Sequence, residues 1–179
     1  CLLGTTFLQL KKYDEAIINL EKSINLNSNY ADSYNNLGIT LAEIKKYPEA
    51  IQNYNKAIHI KKDYFDAYLN RGISLNKLNK YNEAINDFNL VIKYQPRNIK
   101  AYNNLGNVFK NLNKPNEAIN QYDKAININE NFLEAISNKA DVLESQKKFE
   151  KALVELNKIN SIDSNFLGLN QKILSNKMS

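Results

Sequence analysis

The sequence has no tryptophan, one cysteine, one methionine, one histidine, three prolines and five glycines in 179 residues. Each scarcity excludes something. A single cysteine cannot pair within the chain, so a disulfide scaffold is out. A metal site needs several converging His, Cys or carboxylate ligands, and nucleophilic triads need a histidine beside a Ser or Cys. His59 is the sole histidine, set between Ile58 and Ile60, and fits a surface or boundary position better than a ligand role. Gly4, Gly38, Gly72 and Gly106 are too far apart for a phosphate-cradling loop, and Gly168 stands alone. No stretch nears the ~20 consecutive apolar residues of a spanning helix. No charged, then apolar, then small-residue leader opens the chain. It opens on Cys1-Leu2-Leu3 instead of methionine, so the expectation is a piece of a longer polypeptide.

Arginine is scarce too. The net charge is +5, but only Arg71 and Arg97 are arginines. Lysine lacks the bidentate fork that reads bases and phosphates, so the basic balance is a weak nucleic-acid signature. What the chain does have is a 43% hydrophobic share, too high for disorder, and a length suited to about one domain. Asparagine makes up about one residue in six, which together with abundant Lys and Ile suggests AT-rich coding DNA. A soluble protein of a reducing compartment, the cytoplasm, is expected.

Internal repeats settle the architecture. Tyr34-Asn35-Asn36-Leu37-Gly38 returns as Tyr102-Asn103-Asn104-Leu105-Gly106, with Tyr68-Leu69-Asn70-Arg71-Gly72 midway in the same 34-residue register. Glu15-Ala16-Ile17, Glu49-Ala50-Ile51, Glu83-Ala84-Ile85 and Glu117-Ala118-Ile119 keep that spacing, and Lys151-Ala152-Leu153 continues it. The units are 1–30, truncated at its start, then 31–64, 65–98, 99–132 and 133–166. Residues 167–179 are expected to be a partial unit or a capping or linker helix.

Each unit is two helices. Tyr34, Leu37, Gly38, Leu41 and Ile44 share one helical face, and Ala50, Ile51, Tyr54, Ala57 and Ile58 form another. Between them Pro48 suits the first turn of the second helix, where its missing N–H costs nothing. Short turns make the pairs antiparallel. Glycine inside a helix costs ~1 kcal/mol against alanine, so its return at 4, 38, 72 and 106, with Ala140 next in the series, calls for close helix–helix approach. Val91 and Ile159 stand where other units have a second small residue, and packing should loosen there.

With Tyr34, Leu37, Gly38, Leu41, Ala50, Tyr54 and Ala57 at their offsets, the chain resembles a tetratricopeptide repeat array. The resemblance covers residues 1 to about 166 and departs from the family pattern where Lys62 replaces a proline that only Pro96 supplies. It implies an all-α fold, a right-handed α-solenoid of antiparallel helix pairs, whose first helices line a concave groove for a protein or peptide ligand. It implies no chemistry and no cofactor, so the chain is not expected to be an enzyme.

The groove candidates are Asn36, Asn70, Asn104 and Asn138, each two residues before the small packing residue. An asparagine offers a donor and an acceptor, matching a peptide amide; the alternative is helix-to-helix hydrogen bonding within the repeats. Asn35, Asn103, Asn107 and Lys100 complete the candidate set. A chaperone-type carboxylate clamp would use Asn35, Ile39, Asn70, Lys100 and Asn104, of which only Asn70 and Lys100 fit. The asparagine ladder is similar to the repeats of O-linked N-acetylglucosamine transferases and their bacterial relatives, which makes a substrate-recruiting arm of such an enzyme the alternative to a free-standing scaffold. Lys12, Lys46, Lys80, Lys114 and Lys148 recur in the turn inside each pair. Spaced ~10–12 Å apart against a screening length of ~8 Å, they would attract softly. The eighteen Phe and Tyr residues fall at repeat offsets suited to packing instead of base stacking. Neither nucleic acid nor a membrane is expected as a partner.

Overall fold

A computed structural model describes residues 2–163, and the expected helix over 167–179 lies outside them. The described residues form helices α1 (Leu2–Gln9), α2 (Tyr13–Leu26), α3 (Ala31–Glu43), α4 (Tyr47–Ile60), α5 (Phe65–Lys77), α6 (Tyr81–Tyr94), α7 (Ile99–Asn111), α8 (Pro115–Ile128), α9 (Leu133–Ser145) and α10 (Phe149–Ile162), with no strand among them. The chain divides into two compact units, one ending at Tyr94 and one beginning at Gln95. In each, antiparallel helix pairs stack on one another as in an α-solenoid.

In the first unit every helix from α1 to α6 packs on the next, and the first helices of successive pairs also touch, α1 on α3 and α3 on α5. The second helices α2, α4 and α6 make no such contact with each other. The second unit repeats the scheme: α7 to α10 pack in sequence, α7 also touches α9, and α8 and α10 stay apart. First helices are thus drawn together and second helices splayed, which opens a notch between consecutive second helices.

The apolar periodicity explains the layers. On α4, Ala50, Tyr54, Ala57 and Ile58 are buried at i, i+4, i+7 and i+8. Tyr54 joins Leu20, Leu37, Leu41 and Ala50 in one cluster, and Tyr34, Ala57, Ile58 and Ala67 form the next. In the second unit Tyr122 and Ala118 anchor one cluster and Ile136, Ala140, Leu156 and Ile159 another. Val91 and Ile159 are fully buried, so these larger side chains are taken into the core. Not every aromatic packs: Tyr94 is 59% exposed, although its ring stacks on Phe65 with centroids 5.2 Å apart.

The turn within each pair is built the same way five times. Lys11, Lys45, Asn79, Asn113 and Lys147 adopt positive φ between 56° and 62°. In the second pair the Lys46 N–H donates to the Leu41 carbonyl at 2.8 Å and the Lys45 N–H to that of Ala42 at 2.9 Å. This bond pair is a Schellman closure of the helix end, and it hands the chain straight to the next helix, whose flanking residue is an exposed lysine such as Lys46 or Lys114. Glycine is the usual occupant of such a left-handed position; lysine and asparagine serve here.

Candidate functional site

The glycines set how closely the first helix meets the second. A Cβ built on Gly38 would lie 2.5 Å from Tyr54 Cε1, one on Gly72 2.8 Å from Phe88 Cε1, and one on Gly106 2.5 Å from Tyr122 Cε1. Each ring therefore lies flush on a glycine. Burial pushes the Tyr54 and Tyr122 hydroxyls well above their ordinary range, which keeps them protonated. The Tyr122 hydroxyl donates to Asn107 Oδ1 at 2.8 Å, which fixes that candidate residue against the core.

The asparagine ladder resolves into two equivalent pairs, one per unit. In the first, Asn70 Nδ2 on α5 donates to Oδ1 of the buried Asn35 on α3 at 3.2 Å. In the second, Asn138 Nδ2 on α9 donates to Asn103 Oδ1 on α7 at 3.0 Å, and Asn103, 1% exposed, donates onward to Glu134 Oε1 at 2.8 Å. Asn70 and Asn138 are half-buried, so part of each residue remains accessible. Asn36 is half-buried, and its carbonyl accepts from the Thr40 hydroxyl at 2.8 Å. Asn104 Nδ2 bonds back to the carbonyl of the exposed Lys100 at 2.9 Å, one turn earlier on the same helix. Asn70 and Asn138 thus take part in helix-to-helix bonds, and their partners Asn35 and Asn103 are buried.

A second set of polar residues, absent from the candidates read off the sequence, lies on the floor of the notches. Arg71 on α5 grips the buried Asp87 on α6 with both arms, Nε to Oδ2 at 2.8 Å and Nη2 to Oδ1 at 2.6 Å, and its Nη1 reaches Asn55 Oδ1 on α4 at 2.7 Å. Its guanidinium also lies 5.2 Å from the centre of the Tyr68 ring. In the same register of the second unit, Lys139 on α9 meets Glu155 on α10 and Asp123 on α8, each at 2.7 Å, and Lys158 meets Glu155 at 3.0 Å. Burial raises the Asp87 carboxyl against the pull of Arg71. Burial pushes Glu155 in the same direction, but the hydrogen bonds of Lys139 and Lys158 win and hold its carboxyl below the usual range. Lys139, lowered by burial, is raised on balance by Asp123 and Glu155. The signal was in the sequence. Arg71 and Lys139 replace the leucines of Leu3, Leu37 and Leu105, and Asp87 and Glu155, sixteen residues later, replace Asn19, Asn53 and Gln121.

The turn lysines Lys12, Lys46, Lys80, Lys114 and Lys148 are all exposed, and Lys80 lies 3.5 Å from Glu83. His59 is exposed. Among the described residues no group of three His, Cys, Asp or Glu could hold a metal, and no helix is long and apolar enough to cross a membrane.

Comparison with known proteins agrees with this geometry. The fold is similar to that of TTC0263, a thermophilic TPR protein of Thermus thermophilus, at 18% identity, covering 99% of this chain and 96% of that one with a TM-score of 0.81. It is similar to MamA from Desulfovibrio magneticus RS-1 at 18% identity, 92% and 93% coverage and a TM-score of 0.79. It is similar to YrrB, described as a TPR protein with an unusual peptide-binding site, at 20% identity, 98% and 89% coverage and a TM-score of 0.72. No curated protein sequence matches. Family models described as tetratricopeptide repeat match residues 1–63 and 99–132, and one described as TPR repeat matches 74–113. Together these span well over half of the sequence, and the chain belongs to the tetratricopeptide repeat family.

Proposed function

We propose that the chain is a non-catalytic protein-interaction scaffold that takes a peptide or protein segment on its first-helix faces. The observation that carries this reading is the braced amide. Asn70 and Asn138 each spend one N–H on a buried asparagine of the preceding first helix, at 3.2 and 3.0 Å, which fixes the direction of what remains of the amide. A donor and acceptor held in one orientation suits the repeating amides of an extended chain. Asn36, Asn104, Asn107 and Lys100 add polar groups on the same helices, and a TPR protein of similar fold is described as having a peptide-binding site.

The test is a peptide selected against the whole chain by display, then titrated against variants. Asn104, whose side chain bonds within its own helix, is the cleanest position: Asn104→Ala should weaken binding by about 0.5–1.5 kcal/mol without lowering the melting temperature. Replacing Asn36, Asn70, Asn104 and Asn138 together should weaken it by about 2–6 kcal/mol if the contributions add. Circular dichroism accompanies the titration, since Asn70→Ala and Asn138→Ala leave Asn35 and Asn103 short of a partner. Unchanged affinity in a folded fourfold variant overturns the reading.

The same ladder supports a second reading, a substrate-recruiting arm of an O-linked N-acetylglucosamine transferase. The coding sequence beyond Ser179 tests it: a glycosyltransferase domain there supports the arm, and a stop codon or further repeats alone support the scaffold.

A further inference from the structure

The notches between second helices occur at equivalent places in the two units. In the first unit the notch lies between α4 and α6 over the Arg71–Asp87 pair, with a volume of about 350 Å³. In the second it lies between α8 and α10 over the Lys139–Glu155 pair, with a volume of about 410 Å³, inside the ~300–1,000 Å³ range of ligand sites. Their floors are alike, a cation matched by carboxylate. Their rims differ.

In the first notch the rim carries Glu83 and Asn86, and Glu83 lies 3.5 Å from the exposed Lys80. Sixty-eight residues on, Lys148 stands for Lys80, Lys151 for Glu83 and Val154 for Asn86. The basic and apolar character of the second rim is therefore specific to that unit. Lys151 also reverses the charge that the other repeats carry at its position. Glu15, Glu49, Glu83 and Glu117 hold the same position, in the first turn of a helix, where the dipole favours an anion by ~0.3–1 kcal/mol. The fifth repeat keeps its first-turn anion one place earlier, at Glu150, and gains an exposed cation beside Lys148. Val154 is 56% exposed and lines the notch with Ile119 and Leu143. Lys139 below is committed to Asp123 and Glu155, so the unmatched charge is at the rim.

We propose that the notch between α8 and α10 docks an acidic segment of a partner protein. An aliphatic side chain enters between Ile119, Leu143 and Val154, and flanking carboxylates pair with Lys148 and Lys151. This surface lies on the second-helix side and is separate from the asparagine faces.

The probes are a fluorescein-labelled acidic pentapeptide with a central leucine, the same peptide with its acids replaced by lysines, and the same peptide with its leucine replaced by serine, each titrated against the whole chain by fluorescence anisotropy. The wild type should favour the acidic leucine peptide by about tenfold over either alternative. The double variant Lys151→Glu/Val154→Asn gives the second notch the rim of the first at two exposed positions and should lose about tenfold in affinity. The reverse change, Glu83→Lys/Asn86→Val, should raise the stoichiometry to two peptides per chain. The variant lacking the four asparagines should bind as the wild type does, which separates this site from the first-helix faces. Equal binding of the acidic and basic peptides, binding of neither, or full affinity in the Lys151→Glu/Val154→Asn variant overturns the proposal. So does a wild-type dimer on gel filtration that this variant dissolves, because the occupant would then be a second copy.

Discussion

Asp87 and Glu155 hold one register but do not depend on their partners equally. Asp87 is 5% exposed and is the carboxylate that both arms of Arg71 grip, with Asn55 and the Tyr68 ring as further partners. Asp87→Ala leaves a half-buried guanidinium facing a neutral amide, and should destabilise by about 3–5 kcal/mol. Glu155→Ala leaves Lys139 its 2.7 Å bond to Asp123, so about 1–3 kcal/mol is expected. Urea midpoints of the two variants check the order. The two carboxyls also differ in the sign of their pH dependence. Glu155 is held below its unfolded value, so its contribution is complete above that value and is lost as pH falls through the lower folded one. Asp87 is raised, so the folded state takes up its proton first and the contribution from this group falls as pH rises past the unfolded value. Glu155→Gln should therefore narrow the difference in melting temperature between neutral pH and about pH 3, while Asp87→Asn should not. An unaltered acid profile in Glu155→Gln would contradict the assignment.

At the scale of the helix pair, the recurring glycine and the ring opposite it form one packing unit. Gly38→Ala forces the Tyr54 ring, 1% exposed, out of a place with no slack, and should cost about 1–3 kcal/mol. Tyr54→Leu vacates the ring's space at a cost of its own. The double variant should be more stable than the sum of the singles by about 0.5–3 kcal/mol, read from a double-mutant cycle in thermal melts; a coupling of zero would break the link between the two. This contact was legible in the sequence, because glycine inside a helix is unfavourable and its return in one register demands close approach. So were the helices themselves, from Tyr34 to Leu41 and from Ala50 to Ile58. The asparagine pairs were not legible. Thirty-four-residue spacing lines up Asn36, Asn70, Asn104 and Asn138 in a row, whereas the bonds run between residues 35 apart, from Asn70 to Asn35 and from Asn138 to Asn103. That offset is set by how one first helix lies across the next, a tertiary quantity that periodicity does not carry. The ion pairs were legible in principle through the swap of leucine for Arg71 and Lys139, but only when position 7 of each repeat is compared with the residue sixteen places on.

For the molecule as a whole, the pattern of contacts limits how stability is shared. Within each unit a helix packs on its sequence neighbours, with added contact between alternate first helices, so opening is governed by nearest-neighbour interfaces. In the first unit α4 is packed by α3 and α5, whereas α1 has eight residues and begins with Leu2 86% and Leu3 57% exposed. In the second unit α8 and α9 each pack on two sequence neighbours, and α10 packs on α9. Opening α1 breaks its interface with α2 and a lesser contact with α3, and among the described residues opening α10 breaks its interface with α9; opening α4 or α8 breaks two full interfaces. Backbone amides of α1 and α10 should therefore exchange with solvent at least about tenfold faster than those of α4 and α8, measured by native-state hydrogen exchange on the whole chain. Mild denaturant should bring the rates within each unit together as its opening becomes cooperative. The ring-on-glycine contacts sharpen the expectation, because Gly38→Ala should accelerate exchange in α3 and α4 first and reach α1 after them, through α2 and the lesser contact of α1 with α3. Equal protection of α1 and α4 in the wild type would mean that the first unit opens all at once, and the nearest-neighbour account would fail for it.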